Sequence, residues 1–279
     1  MTGIAARSEM PLCRASITPA TLKMIQPARH VSQKLRRLAG FSIAVIVTSA
    51  FQPTLPAADP PKDLARLVAH RESETQAERN RFTYRQTVRV EELTERGTRN
   101  GEYRETRDII FSPVKEREDV IITAPRSTLK NLILTEEDFA DIRNIQPFVL
   151  VEDLFPIYET KFKGEQPIEG EDCWVLQVKP RQILQGQRLF DGLLWVRKQD
   201  YSVVQSEGQA VPQIRTTKSE NLFPRFTTIR RKFGEFWFPI QTVADDTLFF
   251  RGGPQRIKLS VRYENYRKYG SDTNVIFGP

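Results

Sequence analysis

The chain has 279 residues, 39% of them hydrophobic and 10% aromatic, with 42 basic against 35 acidic side chains and a formal net charge of +7. All-β units often reach this length as one domain, so a single domain is the starting expectation. The charge stops suggesting nucleic acid once it is located: residues 1–58 hold seven basic side chains and one acid, leaving 35 basic and 34 acidic residues for 59–279.

That split follows a leader. Lys34, Arg36 and Arg37 precede LAGFSIAVIVTSAF (38–51), an uncharged apolar run, and TLPAADPP (54–61) supplies helix breakers and small residues. A basic region, a short apolar run and a small-residue exit are the parts of a secretory signal, with cleavage expected near Ala57 or Ala58. The apolar run is short for spanning a ~30 Å hydrocarbon core. Residues 1–23 are unusual ahead of such a signal, and Met24 offers an alternative start. Cleavage would remove Cys13 and leave Cys173 alone, so the exported domain would have no intrachain disulfide. The expectation is an extension and signal over 1–58, then one periplasmic domain over 59–279.

PPKDLARLVAHRESETQAERN (60–80) reads as a helix with a narrow apolar stripe of Leu64, Leu67 and Val68 and an otherwise solvated surface. The period then changes to two. In FTYRQTVRV (82–90), Phe82, Tyr84, Val88 and Val90 alternate with Thr83, Arg85, Thr87 and Arg89, the pattern of a strand with one wet face. RGTRNG (96–101) is a turn, EYRETRDIIF (102–111) the returning strand, and VKEREDVIIT (114–123) a third. Thr135 is a good N-cap for a helix with acids in its first turn, which Pro147 should end or kink. PFVLVEDLF (147–155) continues as a second short helix or an inserted loop. From 157 onward strands follow almost to the end, near IYETKFKG, CWVLQVKP, GLLWVRK, YSVVQSEG, RFTTIRRKF, FWFPIQTVAD and RIKLSVRYENY, with 208–224 reading as a long loop. The connections KQD (198–200) and FGE (233–235) are too short for crossover helices, so their strands must be antiparallel. About ten strands and two helical regions predict a mainly β, α+β fold: a curved antiparallel sheet forming a half-open barrel, helices packed on its inner face. An outer-membrane barrel is rejected, because Arg85, Arg89, Lys258 and Arg262 occupy outward positions that lipid would have to cover.

Chemistry-bearing motifs are few. His70 is the one histidine after the leader and reads as a solvated helix residue, so no histidine-based triad or multi-histidine metal site is expected. The carboxylate pairs Glu171–Asp172 and Asp245–Asp246 read as turn and strand-end residues, and no phosphate-binding or nucleophile-elbow motif is present. RFTTIRRKFGEFWF (225–238) interleaves basic and aromatic residues, but a near-neutral, exported body favours the solvated face of a hairpin over a nucleic-acid platform. No catalytic residue, cofactor or metal is therefore expected. The aromatic endowment remains. Phe82, Tyr84, Trp174, Trp195, Trp237 and Phe238 lie in expected strands, where they form a core or, together, line an apolar pocket.

IQPFVLVEDLFPIYETKF (145–162), GEDCWVLQVKP (170–180), FDGLLWVRKQDYSVVQSEG (190–208), NLFPRFTTIRRKFGEFWFP (221–239) and VRYENY (261–266) together resemble exported bacterial proteins related to outer-membrane lipoprotein-sorting proteins, the LolA/LolB-like superfamily. The resemblance covers roughly 60–279 and is strongest over 145–270. It implies a half-open barrel whose helices lid a hydrophobic cavity for acyl chains. On that reading Phe148, Leu150, Leu154 and Phe155 belong to the lid, and the six strand aromatics line the cavity. Lipid or lipoprotein acyl chains would be the ligand, and a membrane-associated protein a further partner. No residue maps onto the gating arginine of the carriers; Arg85 and Arg89 lie on an early strand but neither is assigned. Burying an acyl chain is worth about 0.8 kcal/mol per CH₂, so a carrier needs a dry cavity and no catalytic group. A sensor or scaffold of the same fold, binding a partner protein without lipid, is the alternative, and a carboxylate-dependent hydrolase a third reading. A large dry cavity would favour the carrier, and a filled core with an exposed apolar patch the scaffold.

Overall fold

The computed structural model describes residues 59–111, 116–144, 149–184, 186–215 and 220–268. The expected leader, together with Pro147 and Phe148, lies outside them. Helix α1 (Leu64–Arg79) leads into β1 (Phe82–Leu93), β2 (Arg99–Phe111) and β3 (Arg117–Ser127), followed by α2 (Glu136–Asn144). One 3₁₀ turn (Phe155–Ile157) precedes β4 (Tyr158–Glu165), β5 (Cys173–Pro180), β6 (Leu189–Arg197) and β7 (Val203–Val211). A two-stranded ribbon, β8 (Ile214–Arg215) and β9 (Glu220–Asn221), interrupts the expected long loop, and β10 (Phe226–Phe233), β11 (Phe236–Phe250) and β12 (Gly253–Lys268) complete the chain.

Ten strands form one sheet in the order β3-β2-β1-β12-β11-β10-β7-β6-β5-β4, every neighbouring pair antiparallel. The sheet does not close, since β3 and β4 are both edges. The mainly β fold with an open antiparallel sheet is thus as expected. Two-residue alternation sets the faces: on β12, Ile257, Leu259, Val261 and Tyr263 are buried, while Lys258 and Arg262 are exposed. Both helices pack on the inner face, where Leu64 and Val68 of α1 and Ile142 of α2 join one hydrophobic cluster with residues from β1, β2, β5, β6 and β12.

A tight spot sits in the middle of the sheet. Gly192 and Gly208 are partners on β6 and β7, and the Phe190 ring lies across them. A Cβ on Gly192 would fall 2.2 Å from the Glu207 carbonyl oxygen and 2.6 Å from Phe190 Cζ, so only glycine fits there.

Helix α1 departs from the sequence expectation. Its stripe is wider than three apolar residues, because Glu72, Thr75 and Arg79 are buried as well. Glu72 meets Arg230 of β10 in a two-pronged ion pair at 2.5 and 2.9 Å, with both side chains fully buried. Arg230 is therefore no solvated hairpin residue, whereas Arg231 and Lys232 beside it are exposed. The Arg79 guanidinium lies 4.3 Å over the Tyr84 ring and 5.6 Å from that of Tyr263. Charged groups on the buried face of α1 are admitted because each has a partner.

Candidate functional site

The aromatics singled out in the sequence divide into three groups. Phe82, Tyr84 and Phe238 come together with Phe233 and Tyr266 in a chain of ring contacts, with centroids 5.0–6.4 Å apart. Trp174 belongs to the inner-face core and stacks on Tyr201 with centroids 6.1 Å apart. Trp195 and Trp237 lie in a separate cluster with Cys173, Val175 and Val204. Strand parity places that cluster on the outer face, since Leu194 and Val196 flank Trp195 and both point to the inner core. There Gln166 accepts a hydrogen bond from Trp195 Nε1 at 3.1 Å, and the Arg197 guanidinium sits 5.9 Å from the Trp237 ring centroid. The six rings thus do not converge on one cavity.

Of the expected lid residues, Leu150 is wholly buried, and Leu154 and Phe155 pack against the same core. Phe148 lies outside the described residues. Residues 149–154 form irregular chain rather than a second helix, ending in the 3₁₀ turn. Ser73 and His70 of α1 hold this segment: Glu152 N donates to Ser73 Oγ at 2.9 Å, and Glu152 Oε1 lies 3.0 Å from His70 Nδ1. His70 is exposed, and the hydrogen bond to Glu152 raises its pKa.

A different apolar opening lies beneath α2. Phe139 and Ile142 of the helix, Leu132–Leu134 ahead of it, Leu222 and Phe223 after β9, and Leu248 and Ile257 of β11 and β12 line a hollow of about 50 Å³. Ile133 is 87% exposed at its mouth. Sequence reasoning missed this place. Its one visible signal was NLF (221–223) directly ahead of Pro224, an apolar pair inside a segment that reads as loop.

The walls of the hollow are fastened by polar groups. Glu92 of β1, fully buried, accepts backbone N–H bonds from Lys130, Asn131 and Leu132 at 2.8, 2.6 and 2.6 Å, which pins the approach to α2. Thr135 and Asp138 cap α2 reciprocally: Thr135 N donates to Asp138 Oδ2 at 2.7 Å, and Asp138 N to Thr135 Oγ1 at 3.4 Å. Asn221 Nδ2 donates to Asp138 Oδ1 at 3.3 Å, tying the cap to β9. Farther along the helix, Asp141 pairs with Arg188, whose guanidinium also donates to the Pro212 carbonyl. Burial raises the pKa of both Asp138 and Asp141 above the ordinary carboxylate range.

The remaining candidates for chemistry have structural partners. Glu171 pairs with Arg197 at 2.5 Å and Asp245 with Arg256 at 3.1 Å, while Asp246 accepts the backbone N–H groups of Arg225 and Thr247. Cys173 is buried, and burial pushes its thiol up to about 11, which leaves it a poor nucleophile. Among the described residues no helix is long and apolar enough to cross a membrane.

No family model and no curated protein matches the chain. Among solved structures it is similar to a DUF1329 family protein from Desulfovibrio piger, at 12% identity and a TM-score of 0.36, covering 79% of this chain and 98% of that one. It is also similar to a LolA superfamily protein from Nitrosomonas europaea (12% identity, TM-score 0.33, 75% and 98% covered). A third is a Pseudomonas aeruginosa MucA/MucB complex (13% identity, TM-score 0.23, 74% and 99% covered). These neighbours include the superfamily named by the sequence resemblance. At such TM-scores they carry no argument about ligand or partner.

Proposed function

We propose that this chain is an exported periplasmic binding protein for an apolar ligand, an acyl chain of a lipoprotein or another lipid, held without catalysis. Residues 1–58 would serve as extension and signal peptide, and 59–279 as the binding domain. The observation that carries this reading is the apolar hollow under α2. Its floor is the sheet, its wall is a short helix, and that helix is fastened at its rim by Asp138 and Asp141 rather than by a deep apolar face. At about 50 Å³ the hollow is far below the ~300–1,000 Å³ of ordinary ligand pockets. Ligand entry on this reading requires α2 and residues 129–134 to swing outward. The inner-face aromatics Tyr84 and Trp174 do not line the hollow and would be reached only by a larger opening.

The same observation favours a second reading, a scaffold that binds a partner protein. A filled interior beside the exposed Ile133 suits a surface anchor as well as an acyl chain. Native mass spectrometry of the protein taken from its own periplasm, followed by titration of a fluorescent fatty acid, separates the two. A co-purifying lipid, with fatty-acid affinity reduced by Ile133→Asp, supports the binder. A clean protein mass and no titratable binding would overturn it and leave the scaffold.

A further inference from the structure

The outer face of the sheet carries an arrangement that neither reading uses. Arg89 of β1 stands directly opposite Arg104 of β2, and Arg104 directly opposite Arg126 of β3. Side chains so paired in a sheet lie roughly 5 Å apart at Cβ, and like charges placed this way are destabilising. Two bulges in β3 create the alignment. Before them, β2 and β3 residues pair as Arg107↔Ile121; after them, as Arg104↔Arg126. In an unbroken ladder Ala124 would face Arg104. Bulges commonly serve to re-aim a side chain, and here they add an arginine to a row that already holds two.

The row is only partly neutralised. Arg89 is engaged by Glu102 at 2.7 Å and Glu91 at 2.9 Å. Glu102 is further engaged by Arg99 at 2.6 Å, and these arginines hold its carboxyl below the usual range. Among the described residues neither Arg104, Arg126 nor the nearby Arg262 makes an ion pair or a side-chain hydrogen bond, and all three are exposed. The acids that share their surroundings are already committed: Asp245 to Arg256 and Lys258, and Glu207 to Arg225. Arg104 stands between two open hollows. One, of about 740 Å³, reaches across β1, β12, β11 and β10; the other, of about 540 Å³, reaches to Thr123 and Arg126. The floor between the charges is hydroxyl and amide, with Thr87, Thr227, Gln241 and Ser260, which suits a polar ligand and not an acyl chain.

We propose that the row Arg89–Arg104–Arg126 is a binding site for a phosphate group carried on a polar molecule. A single carboxylate offers one charge and two oxygens, which one guanidinium fork already satisfies. A phosphomonoester offers ≈ −1.5 to −2 charges and three oxygens, enough for two neighbouring guanidiniums at once. The site lies on the sheet face opposite α2, so it stands or falls independently of the apolar hollow. The phosphate would come either from a soluble metabolite or from a lipid headgroup, and the test distinguishes them.

The full chain is titrated with glycerol 3-phosphate, with glycerol as control, and in parallel with phosphatidylcholine vesicles with and without phosphatidic acid. Saturable binding of the soluble ester assigns a metabolite; binding confined to the phosphatidic acid vesicles assigns a headgroup. In either case R104Q/R126Q should weaken binding by about tenfold or more, while K161Q/K163Q on the opposite edge strand leaves it unchanged. The free R104Q/R126Q protein should melt no lower than the parent, because the substitution relieves like-charge contact. Absence of binding in both titrations would overturn the site. So would equal losses in the two double variants, or a lower melting temperature for R104Q/R126Q, which would make the arginines structural.

Discussion

Two helices cover the same face of one sheet and are fastened to it in opposite ways. Helix α1 is held from within: Glu72 and Arg230 pair where both side chains are fully buried, and Leu64, Val68 and Ala69 are sealed around them. Helix α2 is held chiefly by polar pairs. Only Ile142 enters the core as a fully buried apolar residue, and the polar fastenings Asp138–Asn221 and Asp141–Arg188 stand over a hollow. A buried charge pair is costly to break because each partner is left without water. The α2 pairs are also largely buried, Asp141 at 1% and Asp138 at 9% exposure, but Asp138 lines a hollow rather than a sealed apolar cluster. The comparison teaches that α1 is sealed into the core, whereas α2 packs beside a hollow and, on the proposed function, is the element that would move.

The largest effect should come from breaking the inner fastening. Glu72→Ala leaves the Arg230 guanidinium buried without its carboxylate, and the expected loss is about 3–5 kcal/mol of global stability, measured by urea unfolding. The double substitution Glu72→Leu with Arg230→Met should recover most of that loss, since an apolar pair of similar size needs no compensating charge. If the double variant is as unstable as the single one, the pair is not what fixes α1.

Next in size is the anchor of the segment before α2. Glu92→Gln retains the shape but replaces one carboxylate oxygen, which now accepts a backbone N–H, by an NH₂ group that cannot. The expected cost is about 1–3 kcal/mol. Hydrogen exchange should show faster opening at 129–134 than in α1. Uniform acceleration across both helices would erase the distinction between a fixed and a movable element.

The sheet was the readable part. The alternation in FTYRQTVRV and IKLSVRY sets the inner and outer faces of β1 and β12 without any knowledge of their partners, and the structure pairs these two strands in register. The fastenings were not readable, because Glu72 and Arg230 lie 158 residues apart and each, taken alone, looks like a solvated charge. Trp195 shows a subtler limit. CWVLQV and LLWV are apolar on both faces, a sign that both faces of β5 and β6 are covered. That sign was available, but which tryptophan points which way follows from register alone: Val175 faces Trp195 across the strands, while Trp174 faces Val196. Phe82, Tyr84 and Phe238 do come together; Trp195 and Trp237 join each other on the far side. The hollow under α2 was hidden because three separate segments supply its walls.

A smaller effect is expected at the rim itself. Asp141→Ala removes the partner of Arg188, but Arg188 keeps its bond to the Pro212 carbonyl and, at 12% exposure, is the less buried of the two. The loss should be about 1.5–3 kcal/mol, within the range for bonds to charged groups, and below that of Glu72→Ala. It should also increase binding of the fluorescent fatty acid, because the closed state is the one that Asp141 favours. A variant that loses stability without gaining affinity would separate the latch from ligand entry.

The gentlest way to bias the latch is pH. Burial raises Asp138 and Asp141 in the folded protein, so between the ordinary aspartate value of about 3.9 and their raised folded values the native state binds more protons than the unfolded one. Stability attributable to these two groups therefore grows as pH falls through that window and is lost as pH rises through the folded values. His70 acts with the same sign at higher pH. Its bond to Glu152 raises its pKa, so its contribution is complete below about 6.5 and disappears as pH climbs past the folded value. The two sources are separable by place. Followed through mild acidification, hydrogen-exchange protection relative to the intrinsic amide rate at each pH should rise first at 149–154, where Glu152 meets α1, and later at α2. If protection of α2 instead falls as the pH drops through the folded values of Asp138 and Asp141, their charged forms hold the helix down, and acid becomes the condition that opens the hollow.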